Sequence, residues 1–89
     1  MKIHEVPHGI NVVLETHGKR VYIGRFDSTN GFTALLHDCD VKDFGPDEDP
    51  EAYIRETAKY GVDVKQRDLQ VDVMELARIR LLGDVPKAD

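Results

Sequence analysis

The side chains able to do chemistry fall into a few short clusters. His37-Asp38-Cys39-Asp40 is the first. On a strand, alternation puts His37 and Cys39 on one face and Asp38 and Asp40 on the other. Two ligands spaced by two can share an ion, but a closed metal site takes three or four. No second cluster with ligand spacing follows, and His4, His8 and His17 are scattered. No metal is therefore expected, and Cys39 reads as a small buried hydrophobe. Arg20, Arg25, Arg78 and Arg80 stand in strand-like segments. They could make a cationic stripe, but the expected reading is the solvated face of a half-buried sheet. Asp47 and Glu48 are adjacent acids in a loop, where carboxylates are normally solvated. There is no Gly-rich phosphate loop, nucleophile elbow or His-Glu zinc helix. The expectation is no enzyme and no cofactor.

These clusters need elements to hold them. Residues 3–6 predict a short strand before the Pro7–Gly9 break. Ile10–His17 alternates Val12 and Leu14 against Val13 and Glu15, a strand pattern. His17–Lys19 makes a turn, and residues 20–26 a second strand with Val21 and Ile23 facing away from Tyr22 and Phe26. Asp27–Gly31 has turn composition, with positive φ expected at Asn30 and Gly31. A third strand spans 32–41. After a loop at 43–50, Asp49 as N-cap, Pro50 in the first turn and Gly61 as the stop predict a helix over 49–60. Its inner stripe is Ile54, Thr57 and Ala58. Val71–Leu82 also fits a helix, but that would put Arg80 on the apolar stripe. Two strands, 68–73 and 77–82, with a tight turn at Met74–Leu76 fit better. Gly24 stands in the apolar half of the second strand, where glycine marks a bulge, bend or close approach.

Composition bounds the rest. A chain of 89 residues, 40% hydrophobic and 33% charged, reads as one globular domain, 1–89, with a modest core. Self-association is a plausible further source of stability. A single cysteine excludes an intramolecular disulfide, and no signal sequence or membrane span is read, so the expected setting is cytoplasmic. The net charge of −5 is concentrated: seven acids from Asp38 to Glu51 face only Lys42, leaving ten acids against eleven bases elsewhere. An acidic total argues against nonspecific nucleic-acid binding, and no DNA partner is expected.

A three-stranded meander followed by a short strand pair is the order of small SH3-like barrels. Val12, Leu14, Gly18, Ile23, Gly24, Asp27, Asn30, Leu35 and Asp38 together resemble the first motif of the Sm/LSm family. "LQVDVMELARIRLL" is similar in outline to the second motif, without its Arg-Gly pair. The resemblance implies a mainly β fold with one inserted helix, as a small, strongly bent, antiparallel five-stranded barrel. The acidic loop and helix would be an insertion at about 43–61. It implies that Gly24 lets one strand serve both halves of the barrel. It also implies single-stranded RNA binding by Asp27 and Asn30, with Phe32 as a stacking surface and Arg25 nearby. Family members pair strand four of one subunit with strand five of the next. Carried over, Leu69, Val71, Val73, Ile79 and Leu81 mark the edges of a homo-oligomer, which proline at Val71 or Ile79 should break. A second reading, of a different class, is an adaptor that docks a basic protein through the acidic loop and helix, 43–60. The blander role for that helix is to plug an open barrel end.

Overall fold

The computed structural model describes residues Met1–Asp89. The predicted strands form, with shifted ends: β1 (Asn11–Thr16), β2 (Arg20–Thr29), β3 (Thr33–Asp43), β4 (Gln66–Asp72) and β5 (Leu76–Leu81). They make one antiparallel sheet in the order β4-β3-β2-β1-β5. Strands β4 and β5 are its two edges, joined by a single 3-10 turn (Val73–Glu75) with no ladder between them. The sheet is open in hydrogen bonding, yet it curls. Leu69 and Val71 from one edge and Ile79 and Leu81 from the other pack into the same core.

Three register shifts accompany the curl: one between β1 and β5 at Glu15/Thr16, and two bulges between β2 and β3. Ile23 pairs with Asp40 and Arg25 with His37, so Gly24 alone faces both Asp38 and Cys39. Asp38 takes a positive φ of 48° to make room. A Cβ on Gly24 would lie 2.3 Å from the Cys39 Cβ and 2.9 Å from its Cα. A bulge bends its strand and sharpens the twist, and here only glycine admits the close approach. The second bulge is in β2: Phe26 pairs with Leu36 and Ser28 with Leu35, so Asp27 is the extra residue.

Each bulge shifts the alternation by one, which corrects two expectations. His37 and Cys39 do not share a face: Cys39 is buried in the core with Leu36, while His37 stands on the opposite side. The turn after β2 is also shorter than its composition implied, because Asp27, Ser28 and Thr29 belong to the strand.

Both faces of β1 and β2 are covered. The concave core holds Val12, Leu14, Tyr22, Phe26, Ala34, Leu36, Cys39 and Val71. Ile3 and Val6 close it from the N-terminus. Residues 3–5 are a 3-10 turn, not a strand, so they contribute apolar burial rather than a ladder. The convex face buries Val13, Val21 and Ile23 under helix α1 (Glu51–Tyr60), with Leu82 and Val85 beside it. The helix therefore covers the outside of the sheet and does not plug a barrel end. Its apolar stripe forms as expected, with Ile54 and Thr57 buried and Tyr53 and Ala58 at the margin. The N-cap is Pro50 rather than Asp49, which stands one residue earlier and accepts a hydrogen bond from the Glu51 amide (3.0 Å). Gly61 takes φ 93° at the C-cap, so the stop signal acts where expected.

Candidate functional site

The bulges also determine where the polar side chains meet. The β2 bulge re-aims Asp27, whose Oδ2 meets His37 Nε2 at 2.5 Å. On the other side, Asp68 lies directly across the β3–β4 ladder, with Oδ1 2.7 Å from His37 Nδ1. An imidazole bridging two carboxylates through both nitrogens is best satisfied as imidazolium. The Asp27 and then the Asp68 hydrogen bond hold His37 above its ordinary value, against partial desolvation. His37 in turn holds Asp27 below the usual carboxylate range. His8 joins from the N-terminal segment, its Nδ1 2.7 Å from the Asp27 carbonyl oxygen. Two of the four histidines thus converge on Asp27. The line His8–Asp27–His37–Asp68 ties the N-terminal segment, β2, β3 and β4 together.

The other nominated residues lie around this line but are engaged elsewhere. Arg25 donates to Asp38 at 3.1 Å. Asn30 uses its carboxamide oxygen to cap its own turn, accepting from the Phe32 amide (2.9 Å) and the Thr33 amide (2.8 Å). Of the two turn residues only Gly31 has positive φ, at 94°, so Asn30 works through its side chain. Phe32 stands 72% exposed. The four strand arginines do not make a free cationic stripe. Arg20 forks onto Asp43 (2.7 and 3.1 Å), and Arg78 lies 3.9 Å from Glu15. Arg80 forks onto Glu51 (2.8 and 3.0 Å) and also reaches Glu15 at 3.1 Å, clamping the first turn of α1 to β5 and β1. Salt bridges of this kind neutralise the cations that phosphate binding would need.

The acidic segment is likewise occupied. Asp38, Asp43 and Glu51 take the arginines just named. Asp40, only 5% exposed, accepts from the Tyr53 hydroxyl (2.7 Å) and Lys65 Nζ (3.2 Å). Burial and the Asp40 hydrogen bond push the Tyr53 phenol upward. Glu48 accepts from the Gly45 amide (2.8 Å) and Asp49 from the Glu51 amide, so Asp47 alone among the seven has no such contact. Lys19 Nζ staples the loop by donating to the carbonyls of Pro46 (2.9 Å) and Glu48 (2.8 Å). Neither this pairing nor the Asp27–His37–Asp68 bridge was visible in spacing, because both depend on cross-strand register.

The edge residues need one correction of geometry. Leu69, Val71, Val73, Ile79 and Leu81 turn their side chains into or against the core, so any edge pairing runs through backbone. The Val73 amide donates to the Phe32 carbonyl at 2.9 Å. Period two then points the Val71 and Leu69 amides at β3 as well, and those of Asp68, Gln70 and Asp72 outward. Proline at Val71 would therefore cut the internal ladder, and Gln70 is the position that addresses the edge. On the other side the Phe26 amide donates to the Ile10 carbonyl at 2.9 Å. By the same alternation Val13 and Glu15 turn their amides to Arg80 and Arg78, and Ile79 turns its own outward. Ile79 remains a valid edge position.

No protein-family model matches this chain, and no curated protein matches it.

Proposed function

We propose that this chain is a non-enzymatic, Sm-like β module whose function is assembly with copies of itself through strands β4 and β5. One observation carries this reading: the two end strands of a single curled sheet both present an unpaired backbone edge. Unpaired edges are templates for another strand unless charge, proline or a covering element blocks them. The core beneath is continuous to both edges, and neither strand contains proline. Asp68, Gln70 and Asp72 share one exposed face of β4 with Arg67 exposed beside them, and Arg78 lies exposed on β5. Asp68 already meets His37 and Arg78 lies 3.9 Å from Glu15, so the charge complementarity is partial. Antiparallel pairing of β4 in one copy with β5 in the next sets acids opposite an arginine. Such a contact is heterologous, and it closes into a ring when the rotation between copies divides a circle.

Single-stranded RNA is supported less well as a partner, because Asn30 spends its acceptor on its own turn and the strand arginines are paired with acids. A basic protein docked on 43–60 is supported less well too, since those acids are mostly neutralised within the fold. His37 has both ring nitrogens committed, leaving none to take a substrate proton.

Amide hydrogen exchange at rising protein concentration tests the proposal. The outward amides of Gln70, Asp72 and Ile79 should gain protection as concentration increases, and Gln70→Pro should abolish that gain at Ile79. Exchange at these amides that is independent of concentration contradicts self-pairing.

A further inference from the structure

Two of the most exposed large apolar side chains belong to turns that touch. Phe32 is 72% exposed and Met74 78% exposed, and the Phe32 carbonyl accepts from the Val73 amide, the residue beside Met74. Neither turn is loose. Thr29 Oγ1 donates to the Thr33 carbonyl (2.7 Å) and accepts from the Gly31 amide (3.0 Å), while Asn30 caps Phe32. On the other turn Asp72 Oδ1 accepts from the Met74 amide (2.9 Å), and the Glu75 carbonyl accepts from the His17 amide (3.1 Å). Rigid backbone presenting an aromatic ring and a thioether is what a binding surface needs, since little ordering cost remains to be met on association. Phenylalanine and methionine are enriched at such surfaces, and methionine adapts its shape to what it meets.

The charge around the pair selects the partner. Asp72 and Glu75 flank Met74, and neither has an ion pair. Glu75 also borders a groove of about 520 Å³ with Thr16, His17, Gly18, Arg20 and Asp43. There Arg20 and Asp43 cancel each other, which leaves Glu75 as the uncompensated carboxylate. A polyphosphate strand would be repelled at this corner, whereas a cationic side chain would be drawn to it.

We infer that the Phe32–Met74 corner docks a segment of another protein in which an apolar residue is flanked by lysine or arginine. The apolar residue lies over Phe32 and Met74, and the cation reaches Asp72 and Glu75. This surface adjoins the β4 edge at Asp72, while Phe32, Met74 and Glu75 lie in the turns outside the strands.

Selection from a phage-displayed random peptide library on the full-length chain tests it, with counter-selection on folded Phe32→Ser/Met74→Ser. The expected product is a peptide family with an apolar residue flanked by basic ones. A labelled synthetic peptide from that family should bind about tenfold or more weakly to the double variant. It should also weaken with Glu75→Gln and with added salt. The inference is overturned if no family is enriched on the wild type over the double variant, or if enriched peptides are acidic. It is overturned equally if a labelled oligouridylate binds these residues instead. Loss of self-association in the double variant, with no peptide selected, would assign the corner to contact between copies and overturn docking of another protein.

Discussion

Gly24 lies against Cys39 so closely that the Cβ and Cα of Cys39 occupy the place a side chain on Gly24 would need. The Cβ that alanine would add falls 2.3 Å from the Cys39 Cβ. Because Cys39 is wholly buried in the concave core and its neighbour Asp38 already sits at positive φ, neither strand can yield cheaply. The bulge, the bend and the two-sided use of β2 all hang on this contact.

Gly24→Ala should therefore destabilise the fold by about 1–3 kcal/mol or more, the range of overpacked cores. Gly18→Ala is the control: its nearest neighbour is 4.0 Å away and its φ is not positive, so its effect should stay within about 0.5 kcal/mol of zero. Urea unfolding of both variants measures this. Equal effects at the two positions would contradict the close-approach account.

The His37 bridge should make stability depend on pH in a specific window. Its folded value is raised above the ordinary 6.5, so its contribution is complete below that pH and is lost as pH rises through the raised value. Asp27 is depressed below 3.8, chiefly by the same hydrogen bond. Its contribution is present above that pH and is lost as pH falls through the depressed value. Stability from the bridge should be greatest between roughly pH 4 and 6.5. Thermal midpoints of wild type should fall relative to His37→Gln from pH 6 to 8.5. Parallel profiles for the two proteins would show that the bridge adds nothing.

Much of this fold was legible in the chain. Alternation located all five strands, and the preference for two strands over a helix at 68–82 rested on Arg80 being wrong for an apolar stripe. The structure shows why: Arg80 lies on the convex side, forked onto Glu51. Asp49 and Gly61 marked the helix to within one residue because capping is local chemistry. What failed was parity beyond a bulge. Asp27 and Asp38 each shift their strand by one residue, and nothing in their types announces it. The face of Cys39, the aim of Asp27 and the burial of Asp40 all follow from those shifts. The pairing of the acidic segment was hidden for another reason. Its partners come from three distant places in the sequence: Arg20 and Arg25 from β2, Lys65 from just before β4, and Arg80 from β5.

The Arg80 clamp gives a third expectation. Arg80 and Glu15 have side chains only 15% and 16% exposed, and Glu51 36%. Arg80→Met removes the cation shared by Glu15 and Glu51 and leaves Glu15 only the 3.9 Å contact with Arg78. It should cost about 2–4 kcal/mol, somewhat less than the ~3–5 kcal/mol of breaking a fully buried pair. Arg80→Met/Glu51→Gln should recover part of that loss, because one stranded charge is removed. Chemical denaturation of the single and double variants reads the coupling, and strictly additive losses would argue against the clamp.

The central claim is that the two open edges of the sheet assemble copies of the chain. Absolute molar mass by light scattering over a wide concentration range tests it most directly. The account predicts a mass several times the 10.1 kDa of one chain, falling to that of one chain in a folded Gln70→Pro variant. A wild-type mass of 10.1 kDa at every concentration, or full assembly in the folded proline variant, would contradict it.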